Sequence, residues 1–235
     1  MTDLRAHALP TSTPATPVTP RRPLIGPRLA TVALVGGALL NGAESIGMNL
    51  LLPERPEAIS DQLRLVAEHE ATFTALTVSG ILAIPLMAIG FLVLAQHVRT
   101  RSSRLGTAAA WLLMSGMWGF VGIHLMSLMQ VPFARSGDLA GAAGAMEAAQ
   151  QDPVLGVLFM APFLFGTFVG MILLAVGLLK TGVMPRWIPL TMLTFIVVDF
   201  VLRNPGPVDT HWLWIAACIG AARFLRRDDQ PAVTA

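Results

Sequence analysis

The sequence predicts an all-α membrane protein, a six-transmembrane-helix bundle with both termini cytoplasmic and short extracytoplasmic amphipathic helices. Hydrophobic residues make up 54% of the 235 residues and charged residues 13%, about half the charged share of soluble domains. The mean hydropathy is +0.65. This composition excludes an ordinary cytosolic enzyme, a disordered chain and a disulfide-rich secreted domain. The single cysteine, Cys218, excludes an internal disulfide.

The N-terminal segment differs in composition from the rest of the chain. Prolines recur at positions 10, 14, 17, 20, 23 and 27 among threonines and alanines. Proline lacks an amide donor, and the segment has little apolar surface to bury, so a disordered cytoplasmic tail is expected. The predicted organisation is therefore a tail over 1–28, a six-span membrane domain over 29–225 and a C-terminal tail over 226–235.

Six apolar runs follow the tail, at about 29–52, 72–97, 105–131, 154–179, 184–202 and 209–225. A spanning helix needs about 20 residues, and the first four runs meet that length. The last two are shorter, and the prolines and glycine of 203–207 require a turn between them. They either cross the bilayer fully or form a re-entrant hairpin, and their flanking charges favour two crossings.

The basic residues indicate the orientation of these spans. Of the 16 lysines and arginines, twelve fall in the tail, the second and fourth connections and the C-terminal end. The positive-inside rule places these segments in the cytoplasm of a bacterial-type plasma membrane. The pI of about 9.5 is then explained by topology, and no nucleic-acid partner is predicted.

Two connections on the opposite side are predicted to contain short helices. In 57–71, the apolar residues Ile59, Leu63, Val66 and Ala67 share one helical face, and Arg64 can reach Glu68. Residues 136–151 are rich in alanine and predict a similar helix before the fourth span.

A connecting motif resembles that of a known membrane family. The segment from Val176 to Trp187 is similar to the GL-x-x-x-G-x-x-P-R element of an uncharacterised bacterial family of six-helix integral membrane proteins. The resemblance covers 28–225 and implies architecture only; the long Pro/Thr tail and the absence of tyrosine are departures. In this motif Gly182 ends the fourth helix, Pro185 starts the next and Trp187 is an interfacial anchor.

Polar residues within the spans mark the candidate site, because a charge in hydrocarbon costs at least about 2.5–3.5 kcal/mol. Asn41, Glu44, Ser45 and Asn49 recur at three- and four-residue steps and share one face of span one. Glu44 lies about 12 Å below the outer end of its span and His124 about 10 Å below the end of span three. The predicted cluster is completed by three residues of spans five and six, Asp199, Arg203 and His211.

Three hypotheses follow for this cluster. In the first, the protein is a structural or partner-binding membrane protein, Glu44 bonds His124 or an asparagine, Asp199 pairs with Arg203, and the polar groups fix helix packing. In the second, the cluster lines an outward-facing vestibule of a small-solute or proton-linked transporter. In the third, Glu44, His124, Asp199 and His211 hold a divalent metal for a membrane-embedded hydrolase.

No cofactor is predicted, because His124 has no histidine partner at its depth that would complete a haem site. The expected partners are the lipid bilayer and either a second copy of the chain or another membrane protein. The substrate is not indicated by the sequence.

Overall fold

The computed structural model describes residues 25–51, 56, 58–202 and 208–228. Within these ranges the chain is helical and contains no strand. The helices are α1 (Pro27–Leu51), α2 (Ile59–Glu68), α3 (Glu70–Arg101), α4 (Ser103–Ala134), α5 (Leu139–Gln151), α6 (Pro153–Thr181), α7 (Trp187–Val201) and α8 (His211–Asp228).

Four of these helices are long and apolar enough to cross a membrane. They are α1, α3, α4 and α6, with 25, 32, 32 and 29 residues. They match the first four predicted spans, and α1 begins at Pro27 rather than residue 29. The shorter α7 is also apolar, whereas the 18-residue α8 is not among the four candidates. The turn predicted over 203–207 lies outside the described residues.

The connection between α6 and α7 follows the predicted motif. Gly182 has a φ of 60°, in the left-handed region that glycine adopts at low cost, and its N–H donates to the Leu178 carbonyl at 3.1 Å. The carbonyl of Pro185 then accepts from the N–H of Ile188 at 3.1 Å in the first turn of α7. The motif therefore acts as a helix stop followed directly by a helix start.

The two short helices α2 and α5 pack together at the end of the bundle where α1 ends and α3 begins. Ile59, Leu63 and Val66 are buried as predicted, but Ala67 is exposed. Arg64 pairs with Asp61 at 2.9 Å instead of Glu68, because Asp61 also lies one turn away on its exposed side. The predicted helix in 136–151 is α5, which Asp138 caps by accepting from the Gly141 N–H at 2.9 Å.

All six of the longer helices contribute to the main hydrophobic core. Fully buried residues include Leu94 of α3, Leu113 of α4, Leu174 of α6, Ile196 of α7 and Ala217 of α8. The outer surface is apolar as well: large hydrophobic side chains are exposed on α1, α3, α4, α6 and α7. An apolar exterior around a packed apolar core suits a lipid environment.

The helices α4 and α6 pack with their backbones in contact. A Cβ atom added at Gly119 would collide with the carbonyl oxygen of Phe159 and the backbone nitrogen of Phe163. One added at Gly166 would collide with the backbone nitrogen of Gly116. Glycine is therefore required at this crossing, as in other close-packed membrane helices.

We expect Gly119→Ala to destabilise the protein by about 1–3 kcal/mol, because the new methyl group meets backbone rather than a movable side chain. Reversible unfolding of the detergent-purified protein measures the loss. Gly144→Ala is the matched control, since Gly144 also lies in a helix but has open space around its Cβ position. Equal stability of the two variants would contradict the close packing of α4 on α6.

Candidate functional site

A cavity of about 360 Å³ lies between the helices of the bundle. Its wall comes from α1, α3, α4, α6, α7 and α8. The polar lining residues are Asn41, Glu44, Ser45, His124, Ser127, Thr167, Asp199 and His211. The structure thus brings five residues of the predicted cluster to one cavity, together with Ser45 of the same face of α1. These five are Asn41, Glu44, His124, Asp199 and His211. Asn49 does not line the cavity; it donates to Asp209, which also accepts from the wall residues Ser45 and His211. Arg203 lies outside the described residues.

Glu44 and His124 join α1 to α4 at the cavity. The His124 Nε2 atom lies 2.8 Å from Oε2 of Glu44, and the side chains are only 4% and 15% exposed for His124 and Glu44. The other ring nitrogen, Nδ1, donates to the Phe120 carbonyl at 2.9 Å. The contact agrees with the similar depths predicted for these residues.

This geometry requires at least one proton between the two side chains. A carbonyl oxygen can only accept, so Nδ1 of His124 carries a hydrogen. One further proton must then lie between Nε2 and Oε2, on either the imidazole or the carboxyl group. Both arrangements are electrically neutral overall. Loss of that proton would leave two acceptors facing each other, so the contact depends on it.

Gly80 of α3 faces this pair. In the sequence it is only one glycine within an apolar run, and no pattern singles it out. A Cβ atom at Gly80 would collide with the Glu44 carboxylate and with Nε2 of His124. The pair therefore occupies space that α3 leaves open only because residue 80 has no side chain. Nearby, Ser79 donates to the Leu40 carbonyl of α1 at 3.0 Å, which attaches α3 to the same helix.

Asp209 is a second ionisable residue beside the cavity, and the sequence analysis did not single it out. Its Oδ2 accepts from Ser45 at 3.0 Å and from Asn49 at 2.6 Å, and its Oδ1 accepts from the backbone and ring N–H groups of His211 at 2.8 and 2.9 Å. Burial alone would raise the pKa of Asp209. The hydrogen bonds from His211 and Ser45 and the charge of the imidazole outweigh burial and lower the pKa to about 2.

Among the described residues, Asp199 has Thr210 as its hydrogen-bond partner, and the predicted pairing with Arg203 stays a prediction. Its Oδ1 accepts from the Thr210 hydroxyl at 2.8 Å, whereas the predicted partner Arg203 lies outside the described residues. Asp199 sits in a π-helical turn, Val197–Val201, at the end of α7. Such wide turns are frequent at functional sites.

Aromatic rings form much of the remaining wall. Phe120 packs edge-on against His124 with centroids 4.2 Å apart and stacks on Phe163 at 5.1 Å. On the other side, Phe195 packs edge-on against His211 at 5.2 Å and stacks on Trp214 at 5.8 Å. Each histidine of the cavity is therefore held by a phenylalanine ring.

The hydroxyl of Thr167 is buried at the cavity wall and has no hydrogen-bond partner among the described residues. In the regular helices, Thr77 and Thr181 bond the carbonyl four residues earlier. Thr167 instead belongs to the π-helical segment Pro162–Thr167, where this local bond is not made. A polar atom of this kind is available to a bound molecule.

The four residues of the metal hypothesis have separate partners and do not form one ligand set: Asp199 accepts from Thr210, and the other three form carboxylate–histidine pairs. Glu44 bonds His124, and His211 bonds Asp209. Across the described part of the chain, no three histidine, cysteine, aspartate or glutamate residues come together as a metal-binding group. The arrangement can hold and exchange protons and bind a small solute, but it does not provide three protein ligands for zinc.

We expect Glu44→Ala to lower the free energy of unfolding by about 1–3 kcal/mol, because it leaves His124 buried without its partner. Glu44→Gln should cost less, since the amide N–H can donate to Nε2 of a neutral His124. Unfolding of both purified variants in detergent measures the difference, with the exposed Glu147→Ala as control. Equal losses in the two Glu44 variants would contradict the hydrogen bond.

We also expect Asp209→Asn to destabilise the protein, with a pH dependence set by the lowered pKa. The folded chain keeps Asp209 ionised to a lower pH than the unfolded chain does, so its contribution is complete above about pH 4. It is lost as the pH falls through the folded pKa of about 2. The stability gap between wild type and variant should therefore stay constant from pH 7 to 4 and shrink below that. A gap that closes between pH 7 and 5 would contradict the assignment.

Comparison with models of protein families, with curated proteins and with solved structures found no match for this chain.

Proposed function

We propose that this protein is a proton-linked transporter of a small solute in the plasma membrane, with the cavity between α1 and α4 as its binding site. The observation that carries the proposal is that the Glu44–His124 pair, which holds one exchangeable proton, lines a cavity of about 360 Å³. Ligand pockets of proteins typically measure about 300–1,000 Å³. Ionisable residues inside a membrane commonly serve proton or substrate pathways.

The proposed topology has six crossings and cytoplasmic termini. The Arg226 side chain of α8 donates to Thr31 of α1 at 3.0 Å, so the described ends of the chain lie at one end of the bundle. This supports an even number of crossings. The helix ends beside the α3–α4 and α6–α7 connections carry Arg101, Arg104 and Lys180, and the positive-inside rule places this end of the bundle in the cytoplasm. The residues that line the cavity then lie toward the outer half of the bilayer.

The cavity distinguishes this proposal from a purely structural role. A hydrogen bond between Glu44 and His124 serves helix packing equally well, but packing alone favours filled interiors with few voids larger than a water molecule. Here the same bond borders a much larger space with the unpartnered Thr167 hydroxyl in its wall. The metal-dependent hydrolase receives less support, because the ionisable residues form pairs.

The proton between Glu44 and His124 provides the coupling in this mechanism. When it is present, the pair is closed and ties α1 to α4. When it leaves, the two acceptor atoms repel, and the contact between the helices opens. A solute that binds beside the pair would favour one of these states, and its differential affinity would link solute movement to proton movement.

The first experiment screens neutral, anionic and cationic small solutes for stabilisation of the detergent-purified protein. A ligand at 100 times its Kd stabilises the folded state by about 2.7 kcal/mol. Solutes that bind are then added to vesicles containing the protein and the pH indicator pyranine. We expect the wild type to move protons with the solute and Glu44→Gln to show only the proton leak of empty vesicles.

Glu147→Gln is the matched control for this measurement, because it removes an exposed carboxylate from α5. It should transport like the wild type. The proposal fails if no solute of the panel binds, or if Glu44→Gln moves protons at the wild-type rate.

A further inference from the structure

We propose that the solute bound in this cavity is an organic cation, an amine or quaternary ammonium with apolar substituents. This inference rests on the proposed function, since it names the class of solute that the same cavity takes. Two features of the wall support it: the Asp199 carboxylate and the arrangement of aromatic rings.

The charges of the wall favour a positive ligand. Glu44 and Asp199 line the cavity, and no lysine or arginine occurs among its described lining residues. The Glu44–His124 pair is neutral, because it holds one shared proton. Asp209 lies directly behind Ser45 and His211 of the wall, and its low pKa keeps it ionised. Among the described wall residues, Asp199 is the carboxylate that bonds a neutral hydroxyl, that of Thr210, rather than a histidine, so it is the group that a cation entering the cavity would meet.

The aromatic rings supply a second kind of attraction for a cation. The lining aromatic residues are Phe91, Phe120, Phe163, Phe195, Phe200 and Trp214. Phe163 and Phe200 have centroids 6.2 Å apart, which places aromatic surface beside the Asp199 end of the cavity. The electron-rich faces of such rings attract ammonium groups, and their apolar surface buries the substituents. Four methionines, Met48, Met87, Met117 and Met171, complete the wall with adaptable apolar side chains.

The test compares three probes of similar size: benzyltrimethylammonium, its uncharged carbon isostere neopentylbenzene and the anion benzylsulfonate. Equilibrium dialysis against the full chain in lipid nanodiscs measures binding, and empty nanodiscs give the partitioning into lipid. We expect the cation to bind at least about tenfold more tightly than the neutral isostere and the anion to show no binding above empty nanodiscs.

Asp199→Asn should weaken binding of the cation about tenfold while Asp199→Glu retains it, because asparagine can still accept from Thr210 but carries no charge. Glu147→Gln is the control and should bind like the wild type. Since Asp199→Asn keeps the structural hydrogen bond, its unfolding transition should match that of the wild type.

Equal binding of the three probes, preference for the anion, or unchanged cation binding in Asp199→Asn would each overturn the inference. If these probes fail but another solute of the panel binds, the inference is wrong and the proposed function stands. If no solute of any charge binds, both are wrong.

Discussion

The hydrogen bond between Glu44 and His124 is the constraint on which the centre of this structure depends. It fixes the position of α1 along α4. The pair also lies against α3 at Gly80, where a side chain would collide with both residues. An unpaired charge at this depth would cost several kcal/mol, so the neutral, singly protonated pair is the form that the apolar surroundings favour. The pair is thus both a packing contact and the one place on this helix interface where a proton is structurally required.

The polar face of α1 divides its side chains between two partners. Glu44 turns to α4, while Ser45 and Asn49 turn to Asp209, just before α8. One helix therefore connects the two sides of the cavity through polar contacts, while the surrounding hydrophobic packing holds the bundle together. Opening the Glu44 contact would leave the Asp209 contacts in place. The two sets of contacts therefore differ in their response to protons. The Glu44–His124 contact depends on a proton, whereas the Asp209 contacts do not change, because the Asp209 carboxylate stays ionised over the physiological range.

The sequence predicts the parts of this site that follow from periodicity and depth. Three- and four-residue spacing places Asn41 and Glu44 on one face, and equal distances from the helix ends match Glu44 with His124. Asp209 was not recognised, because two of its four donors come from Ser45 and Asn49, at least 160 residues earlier in the chain, and only the other two come from its neighbour His211. The aromatic wall was equally hidden. In an apolar helix, a ring that faces a cavity, such as Phe163, cannot be told by hydropathy from one that faces lipid, such as Phe165.

Two of the helices that line the cavity, α6 and α7, depart from regular geometry at its wall. Both Phe163 and Thr167 belong to the π-helical segment of α6 that begins at Pro162, and Asp199 belongs to the π-helical end of α7. Proline cannot donate to the carbonyl four residues earlier, and the wider turns redirect the side chains that follow. At these turns Thr167 loses the local partner that threonines of the regular helices keep. Irregular backbone in α6 and α7 and a buried proton-holding pair between α1 and α4 are costly for a bundle that only needs to pack. A solute bound in the cavity would account for these features together.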